Sequence, residues 1–573
     1  MDNQELAQIF FDIADMLDIK GDDWYRVRAY RRAAEAMAHY PEELTNLWEE
    51  GRLEEIPGVG KAIAGKVDEI LQTGRLEFYE RLKSEIPDGV VSLLGIPGVG
   101  PKTVHLLYKG LGLVSIPDVE SAARQHRLRE LKGLGAKSEE RILQAIEMMH
   151  RISGRHLLAT ALPVAEEIVA ALSECPSARG VTPAGSLRRC APTIGDIDIL
   201  AASDDSQKVI DHFVSLPLVY DVRSQGDTKA TVILNSGLQV DLMLLDQAHY
   251  GSLLQHFTGS KDHNASLRGL ARRHGLSLSE YGFEHEDGTV TSCATEEDVY
   301  GTLRMEWIPP ELREASGELE AAREGRLPSL VTDGDIKGDF HTHTHYSDGV
   351  NTIEEMARAA MARGYEYIAI TDHSQGLGVA GGLTPQEFAR QREEIDRVND
   401  KLAPFRVLSG VELEIKTDGD LDLPDEVLAE FDVVVASVHL GLRQDEEKMT
   451  GRIIAAMRNP HVHIIAHPTG RLLGQREGVA LDFEAVVKEA ARTGTVLEIN
   501  AQPNRLDLDG ELARRAIRDG VMLALGSDAH HAEGLGVMRF GVATARRGWA
   551  EPANIANTLS CEELLAKLKC RKD

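Results

Sequence analysis

The sequence predicts a multidomain chain: an α-helical N-terminal part, an α+β middle and a C-terminal parallel β/α barrel. Three observations carry that reading. Short apolar, β-rich runs repeatedly close with a histidine or carboxylate; the seven runs are DFHTH (339–343), YEYIAITDH (365–373), FRVLSGVE (405–412), FDVVVASVH (431–439), VHIIAHP (462–468), TVLEIN (495–500) and VMLALGSDAH (521–530). A Gly-Val-Gly turn opening a helix occurs at IPGVGKAIAGKVDEIL (56–71) and IPGVGPKTVHLLY (96–108), with a degenerate copy at LKGLGAKSEERILQAI (131–146). Between these regions, GDIDIL (195–200) and LQVDLMLL (238–245) set aspartates into strand-like runs.

Bulk composition bounds the answer. A chain of 573 residues exceeds what one core organises, so roughly three to five domains are expected. Its 42% hydrophobic content is ordinary for a globular protein. No apolar stretch reaches the roughly 18 residues of a membrane span, and the acidic start MDNQELAQIFFDIADML is unlike a secretory leader. The five cysteines are scattered without a CxxC spacing, which points to a reducing cytoplasm and away from thiolate metal sites. The net charge of −29 counts against a nucleic-acid partner, since phosphate binding wants a basic surface. The charge is uneven, however: residues 91–155 carry 10 Lys and Arg against 6 Asp and Glu.

From the N-terminus, residues 4–18 and 26–39 show three- and four-residue apolar spacing, hence helices. The repeated turns follow. Gly58, Gly60, Gly98 and Gly100 let backbone approach a phosphate closely, and the next helix offers free N–H groups to the anion. One such turn is as readily a packing motif. Three, with Lys61, Lys66, Lys102 and Lys137 nearby, favour binding to a DNA backbone.

From about residue 156 the texture changes. LPVAEEIVAALSE (162–174) reads as helix, and KATVILN (229–235) and LQVDLMLL flank a hairpin turn at Asn235-Ser236-Gly237. Residues two apart in a strand share a face, so Asp196 and Asp198 present two carboxylates together. Asp241, on a strand expected nearby, supplies a third. Three carboxylates around two Mg²⁺ ions suit in-line phosphoryl transfer. Gly185 and Ser186 form a small loop for phosphate oxygens, and Arg188 or Arg189 can clamp them. A lone DxD is commonly a solvent-facing pair; GS, then GDIDIL, then VDLM across a hairpin is far more specific. Residues 246–320 read as helix and loop, and 321–337 as a linker or an ordered strap.

In the barrel, strand carboxyl ends gather on one rim. There His341, His343, His373, Glu412, His439, His467, Asp528 and His530 would hold several divalent metals. A single strand-end histidine is usually a packing residue, but eight candidates in register are another matter. His345, His461, His463 and His531 are expected as bystanders. Mixed imidazole and carboxylate donors suit Mn²⁺ or Zn²⁺ better than Ca²⁺, and such a cluster turns bound water into hydroxide for phosphoester hydrolysis.

On these motifs, residues 1–320 resemble the family X DNA polymerases, the polymerase β-like nucleotidyltransferases. Residues 338–573 resemble a polymerase and histidinol phosphatase (PHP) domain, and the order of the two matches the bacterial and archaeal PolX architecture. The resemblance implies a helical 8-kDa-like domain (1–88), a fingers-like helix-hairpin-helix domain (89–155), a palm (156–246) and a thumb (247–320). A linker (321–337) and a distorted (β/α)7 barrel PHP domain (338–573) follow. It makes Asp196, Asp198 and Asp241 the polymerase metal carboxylates, with Asp241 closest to the primer 3′-OH, and gives Ser186 and Arg189 the incoming triphosphate. HFTGSKDHN (256–264) is similar to the family's YFTGS segment, which places Phe257, Gly259, Lys261 and Asn264 near the deoxynucleotide. Arg268 falls at a template-strand contact, and Lys66 where polymerase β has its Schiff-base lysine. Asp348 joins the barrel ligands, His341, His343, Glu412 and Asp528 forming one part of a three-metal cluster that His373, His439, His467 and His530 complete. Three departures stand out: His256 in place of tyrosine, Gln239 in place of arginine, and Lys261 in place of an acidic residue.

The implied function is template-directed gap filling in DNA repair, joined to a metal-dependent 3′–5′ exonuclease that also cuts abasic sites or trims blocked 3′ ends. Expected partners are gapped or primed DNA and deoxynucleoside triphosphates, without a membrane, for a monomer. Expected cofactors are Mg²⁺ or Mn²⁺ in the palm and Mn²⁺ and/or Zn²⁺, up to three ions, in the barrel. The competing readings are a phosphatase for a small phosphomonoester with a DNA-binding N-terminal module, and a non-catalytic DNA scaffold.

Overall fold

The computed structural model describes residues 3–38, 40, 44–56, 58–86, 88–96, 98–152 and 154–569. The chain divides near residue 153 into two compact units.

The first unit is all helical. Helices Asn3–Lys20 and Trp24–Ala38 occupy the spans that the apolar spacing predicts, and they bury Phe10, Leu17, Tyr30 and Met37. The three glycine turns have one local structure. Each begins with a 3-10 turn, Leu53–Glu55, Leu93–Gly95 or Leu128–Glu130, and ends in helix Lys61–Thr73, Pro101–Leu111 or Ala136–Ile152. Within each, a backbone N–H reaches back three residues: Val59 to Ile56 (3.0 Å), Val99 to Ile96 (2.9 Å) and Leu134 to Leu131 (2.9 Å). Gly58, Gly98 and Gly133 sit at φ of 84°, 79° and 107°, a region that a side chain would strain. The buried Ile56, Val59, Ile96 and Val99 anchor the turns from below.

Besides a two-stranded and a three-stranded sheet, the second unit holds two larger ones. The smaller has strands β1 (Arg179–Pro183), β2 (Ile197–Ala202), β3 (Val219–Gln225), β4 (Lys229–Leu234) and β5 (Gln239–Leu245), in the order β1-β2-β5-β4-β3. The predicted hairpin is β4–β5, with Gly237 at φ 82° in its turn. β2 and β5 run parallel. Alternation along β2 sends Ile197, Ile199 and Ala201 into the core with helices Leu158–Ser173 and Ser206–Val214. Leu200 and Ala202 go to the other face, under helix Tyr250–Thr258, and a period of two puts Asp198 on that side.

The larger sheet is parallel throughout: β6 (Gly338–Asp339), β7 (Tyr367–Ile370), β8 (Arg406–Glu414), β9 (Val433–Ser437), β10 (Ile464–Ile465), β11 (Val496–Asn500) and β12 (Leu523–Gly526), in sequence order. A parallel bridge from Thr342 to Ala529 joins its ends, so all seven predicted runs form one nearly closed barrel. Its strands are buried on both faces: Val433 and Val435 point into the barrel with Phe340, Leu408 and Ala524. Val434 and Ala436 face the outer helices, the pattern expected of a covered parallel sheet.

Residues 324–337 are an ordered strap. Val331 N–H donates to the Ala550 carbonyl (2.9 Å) and Lys337 N–H to that of Asn557 (2.8 Å), while the Val331 side chain lies in the barrel's outer core. Leu506 and Phe540 of the barrel region pack into the core of the smaller sheet, so these domains share buried surface. Among the described residues no helix is long and apolar enough to cross a membrane.

Candidate active sites

The first site forms where β2 and β5 run side by side. Asp198 and Asp241 are direct partners in that parallel register. Asp196 is exposed and lies just before β2 starts, at the strand's entry rather than within it as the alternation argument supposes. Asp241 accepts hydrogen bonds from the Thr231 hydroxyl and from Gln239 Nε2 (3.2 Å), with Lys229 Nζ 4.0 Å away. Burial, reinforced by Asp196 and Asp241, pushes Asp198 up to about 7. Gly185 closes the back: it holds φ 60°, and a Cβ there would stand 2.2 Å from Asp198 Oδ2.

The two arginines beside this loop diverge. Arg189 is near enough to pull against the rise in the Asp198 pKa, and it donates to the Thr258 carbonyl (2.6 Å) and to Glu314 Oε1 (3.1 Å). Arg188 turns away. It makes a bidentate pair with Glu296 (2.8 Å and 2.8 Å) and donates to Thr258 Oγ1 (2.6 Å). Glu296 is also held by the fully buried Arg313 and by Trp307 Nε1. Burial opposes charge on Glu296, but Arg313 and Arg188 bring its carboxyl down to about 2.

The 256–264 segment borders the same loop. Gly259 stands at φ 69°, 3.2 Å from Arg189 Nη1 by its would-be Cβ. Asn264 Nδ2 donates to the His256 carbonyl (2.6 Å), and Asn264 Oδ1 accepts from Gln255 Nε2 (2.8 Å). Phe257 packs against the core beneath helix Tyr250–Thr258. Lys261 is exposed at the start of helix Lys261–Arg273, and Arg268 is half-buried along it. Burial, with Arg268 adding to it, lowers the His256 pKa, which keeps that ring neutral.

The second site fills the carboxyl rim of the barrel. Glu412 is its hub. His341 Nε2 (3.3 Å), His343 Nε2 (3.6 Å), His373 Nδ1 (2.9 Å), His439 Nε2 (3.4 Å) and His467 Nε2 (3.1 Å) all approach its two oxygens. Asp528 Oδ1 lies 3.4 Å from His343 Nε2, and Asp348 lies 3.5 Å from His373 Nε2 and 3.4 Å from His530 Nε2. All nine predicted ligands therefore converge. Eight of them, all but His467, form three overlapping groups able to hold a cation: His343, Asp348, His373 and His530; His341, His343 and Asp528; His373, Glu412 and His439.

The donor set fits metal ions. His341 Nε2, both His343 nitrogens and His373 Nδ1 are buried and lack a hydrogen-bond partner, a costly state for nitrogen unless a cation claims it. Burial and the neighbouring His373 push His343 down to about 3, the neutral form that metals require. Burial works against charge on Glu412 as well, yet His341, His373 and His439 hold it well below the carboxylate range.

Family models match four segments: a helix-hairpin-helix domain over residues 1–76, a SAM-like helix-hairpin-helix tandem over 90–148, a DNA polymerase beta thumb over 253–314 and a PHP domain over 339–500. A DNA polymerase/3′-5′ exonuclease PolX from Bacillus subtilis is 39% identical over 572 residues, 99% of this chain and 100% of that protein. The chain belongs to the PolX family. DNA polymerase lambda from Rattus norvegicus is 26% identical over 53% of this chain and 54% of its own length. A probable phosphatase from Syntrophotalea carbinolica is 32% identical over 38% of this chain and 90% of itself. Such phosphatases match only part of this PolX, which is thus a DNA polymerase joined to a PHP phosphoesterase. Both halves imply divalent metal ions.

Several residues of this PolX escaped the sequence reading. His341 Nδ1 is bound by Glu498 Oε1 (2.7 Å), whose other oxygen accepts from His467 N–H (2.7 Å). Asn500 Nδ2 donates to Asp528 Oδ2 (3.0 Å), and Glu414 sits on His439 Nδ1 (3.1 Å), held in turn by Arg452 (3.1 Å). The signal for two of them lay in the TVLEIN run, where Glu498 and Asn500 share a strand face. His463 proves to be a core residue accepting from Val434 N–H (3.0 Å). His531 accepts from Gly534 N–H (3.0 Å) and is exposed, as is His345.

In the helical unit, Gly58, Gly60, Gly98 and Gly100 line two glycine turns, with Gly60 and Gly100 at the start of their helices. Lys102 is exposed. Lys66 Nζ donates to the Ala62 carbonyl (3.3 Å) and lies 5.3 Å from the Phe78 ring centre.

Proposed function

We propose that Asp196, Asp198 and Asp241 carry DNA synthesis while the nine barrel ligands carry 3′–5′ exonuclease chemistry, at two separate sites. The observation that bears most weight is the in-register pairing of Asp198 with Asp241 beside Gly185. Divalent cations at these carboxylates, Mg²⁺ or Mn²⁺, would activate the primer hydroxyl and neutralise the triphosphate. Thr231 and Gln239 fix Asp241 toward the primer 3′-OH. Ser186 and the Gly185 backbone cradle phosphate oxygens, with Arg189 as the charged clamp. Arg188, paired with Glu296, supports that loop from behind rather than touching the nucleotide. Phe257, Gly259, Lys261 and Asn264 border the sugar and base, and Arg268 faces the template strand.

In the barrel, Mn²⁺ and/or Zn²⁺, up to three ions, would lower the pKa of bound water and offset charge on the phosphate. Glu498, Asn500 and Glu414 orient His341, Asp528 and His439, the role that outer partners play around metal ligands. The glycine turns and Lys66 and Lys102 grip the DNA backbone, and the protein acts as a monomer in the cytoplasm on gapped DNA. The test is a labelled gapped duplex with Mg²⁺ or Mn²⁺, with and without deoxynucleotides. The primer should lengthen with nucleotides and shorten without them. An Asp198→Ala protein that still extends primers defeats the palm assignment.

A further inference from the structure

Glu314 Oε1 accepts from two guanidinium groups at once. One is Arg189 Nε (3.1 Å), and the other is Arg547 Nη1 (2.9 Å) from helix Met538–Arg547 of the barrel region. The same Arg547 nitrogen also donates to the Arg189 carbonyl (2.7 Å). Both arginines are largely buried, at 14% and 18% side-chain exposure, and Glu314 keeps 32%. A barrel residue thus touches both the backbone of the triphosphate arginine and the carboxylate that restrains its side chain.

We infer that Arg547 is a positioning residue for the polymerase reaction: it holds Glu314 so that Arg189 can leave it for the incoming triphosphate. This rests on the proposed role of Arg189. The physical reason is competition for one oxygen. When Arg189 swings toward the triphosphate it abandons Glu314, and a bare carboxylate beside a polyanion would repel it, strongly so where water is scarce. Arg547 remains on Glu314 and cancels that charge. Without Arg547, Glu314 has a single cation and grips Arg189 in the ground state. The exonuclease half of the chain would in this way support nucleotide binding in the polymerase half, through two side chains and no global movement.

The test uses full-length protein on gapped DNA, with deoxynucleotide titrated at saturating Mg²⁺. Arg547→Ala should raise the KM for deoxynucleotide about fivefold to tenfold with kcat little changed, the size of a lost partly buried charge contact. Arg547→Lys should recover part of that. Adding Glu314→Gln to Arg547→Ala removes the repelling charge and should return KM to within about twofold of the parent value. A merely structural role predicts no such rescue. An unchanged KM in Arg547→Ala, or a double variant as impaired as the single one, overturns the inference. Arg189→Ala separates the underlying reading: if its KM equals that of the parent, the triphosphate assignment fails, whatever Arg547 does.

Discussion

The palm and the barrel both gather carboxylates for phosphate chemistry, but they neutralise buried charge by opposite means. Around the palm Glu296 is a deeply buried charge, and two fixed arginines, Arg188 and Arg313, answer it. The carboxylates proposed to react stay partly open, with Asp196 exposed. In the barrel, Glu412 and Asp528 are buried among six histidines, three of which (His341, His343 and His373) have orphaned ring nitrogens, and bound cations would do there what arginine does in the palm. The difference teaches that the palm carboxylates lie open to metals arriving with each nucleotide, whereas ions bound in the barrel would add to that domain's stability.

The sharpest way to break this comparison is a crossed pair of variants. Asp198→Ala should cut primer extension by about a thousandfold or more and leave exonuclease within about twofold, with Glu412→Ala doing the reverse. Loss of both reactions in either variant on one gel would show that the sites are not independent. Metal removal should separate the regions by stability. With free ion formerly a thousandfold above its Kd, stripping should cost the barrel about 4 kcal/mol. Calorimetry of the chelated protein would then show barrel melting shifted down.

A charge fixed by arginine should respond to acid instead. Glu296→Gln leaves the fully buried Arg313 short of its partner and should destabilise by about 3 kcal/mol. The folded Glu296 carboxyl is depressed from 4.5 to about 2, so its stabilisation is fully present above 4.5 and is lost as pH falls through about 2. Acid unfolding of the parent should therefore steepen between those values, and that of the variant should not. Glu498→Gln, which weakens the hold on His341, should lower manganese affinity about tenfold to a hundredfold by titration calorimetry. Lys102→Ala is the smallest effect expected: it should weaken gapped-DNA binding a few-fold and reduce the log-salt slope by about 0.9.

Much of both sites was legible in the chain because strand periodicity and strand-end position are local properties. Six of the seven apolar runs carry candidate ligands near their ends and needed only a parallel barrel to meet, and GDIDIL and VDLM needed only one parallel pairing. Other features were hidden by distance. Arg188 and Glu296 lie 108 positions apart, so nothing near Arg188 shows that its guanidinium is already taken. Glu414 sits next to strand residues that look like any apolar core, and only His439 and Arg452 around it reveal its use.

What the sequence by itself determined is the inventory: glycines where backbone must turn left-handed, aspartates at strand positions, and histidines at the ends of buried strands. Such features follow from backbone sterics and a period of two, which neighbours in sequence dictate. Tertiary structure alone decided which arginine is free, which carboxylates orient imidazoles, and that residues 324–337 form a strap. Those outcomes depend on desolvated charges finding partners far along the chain, and only packing brings such partners together.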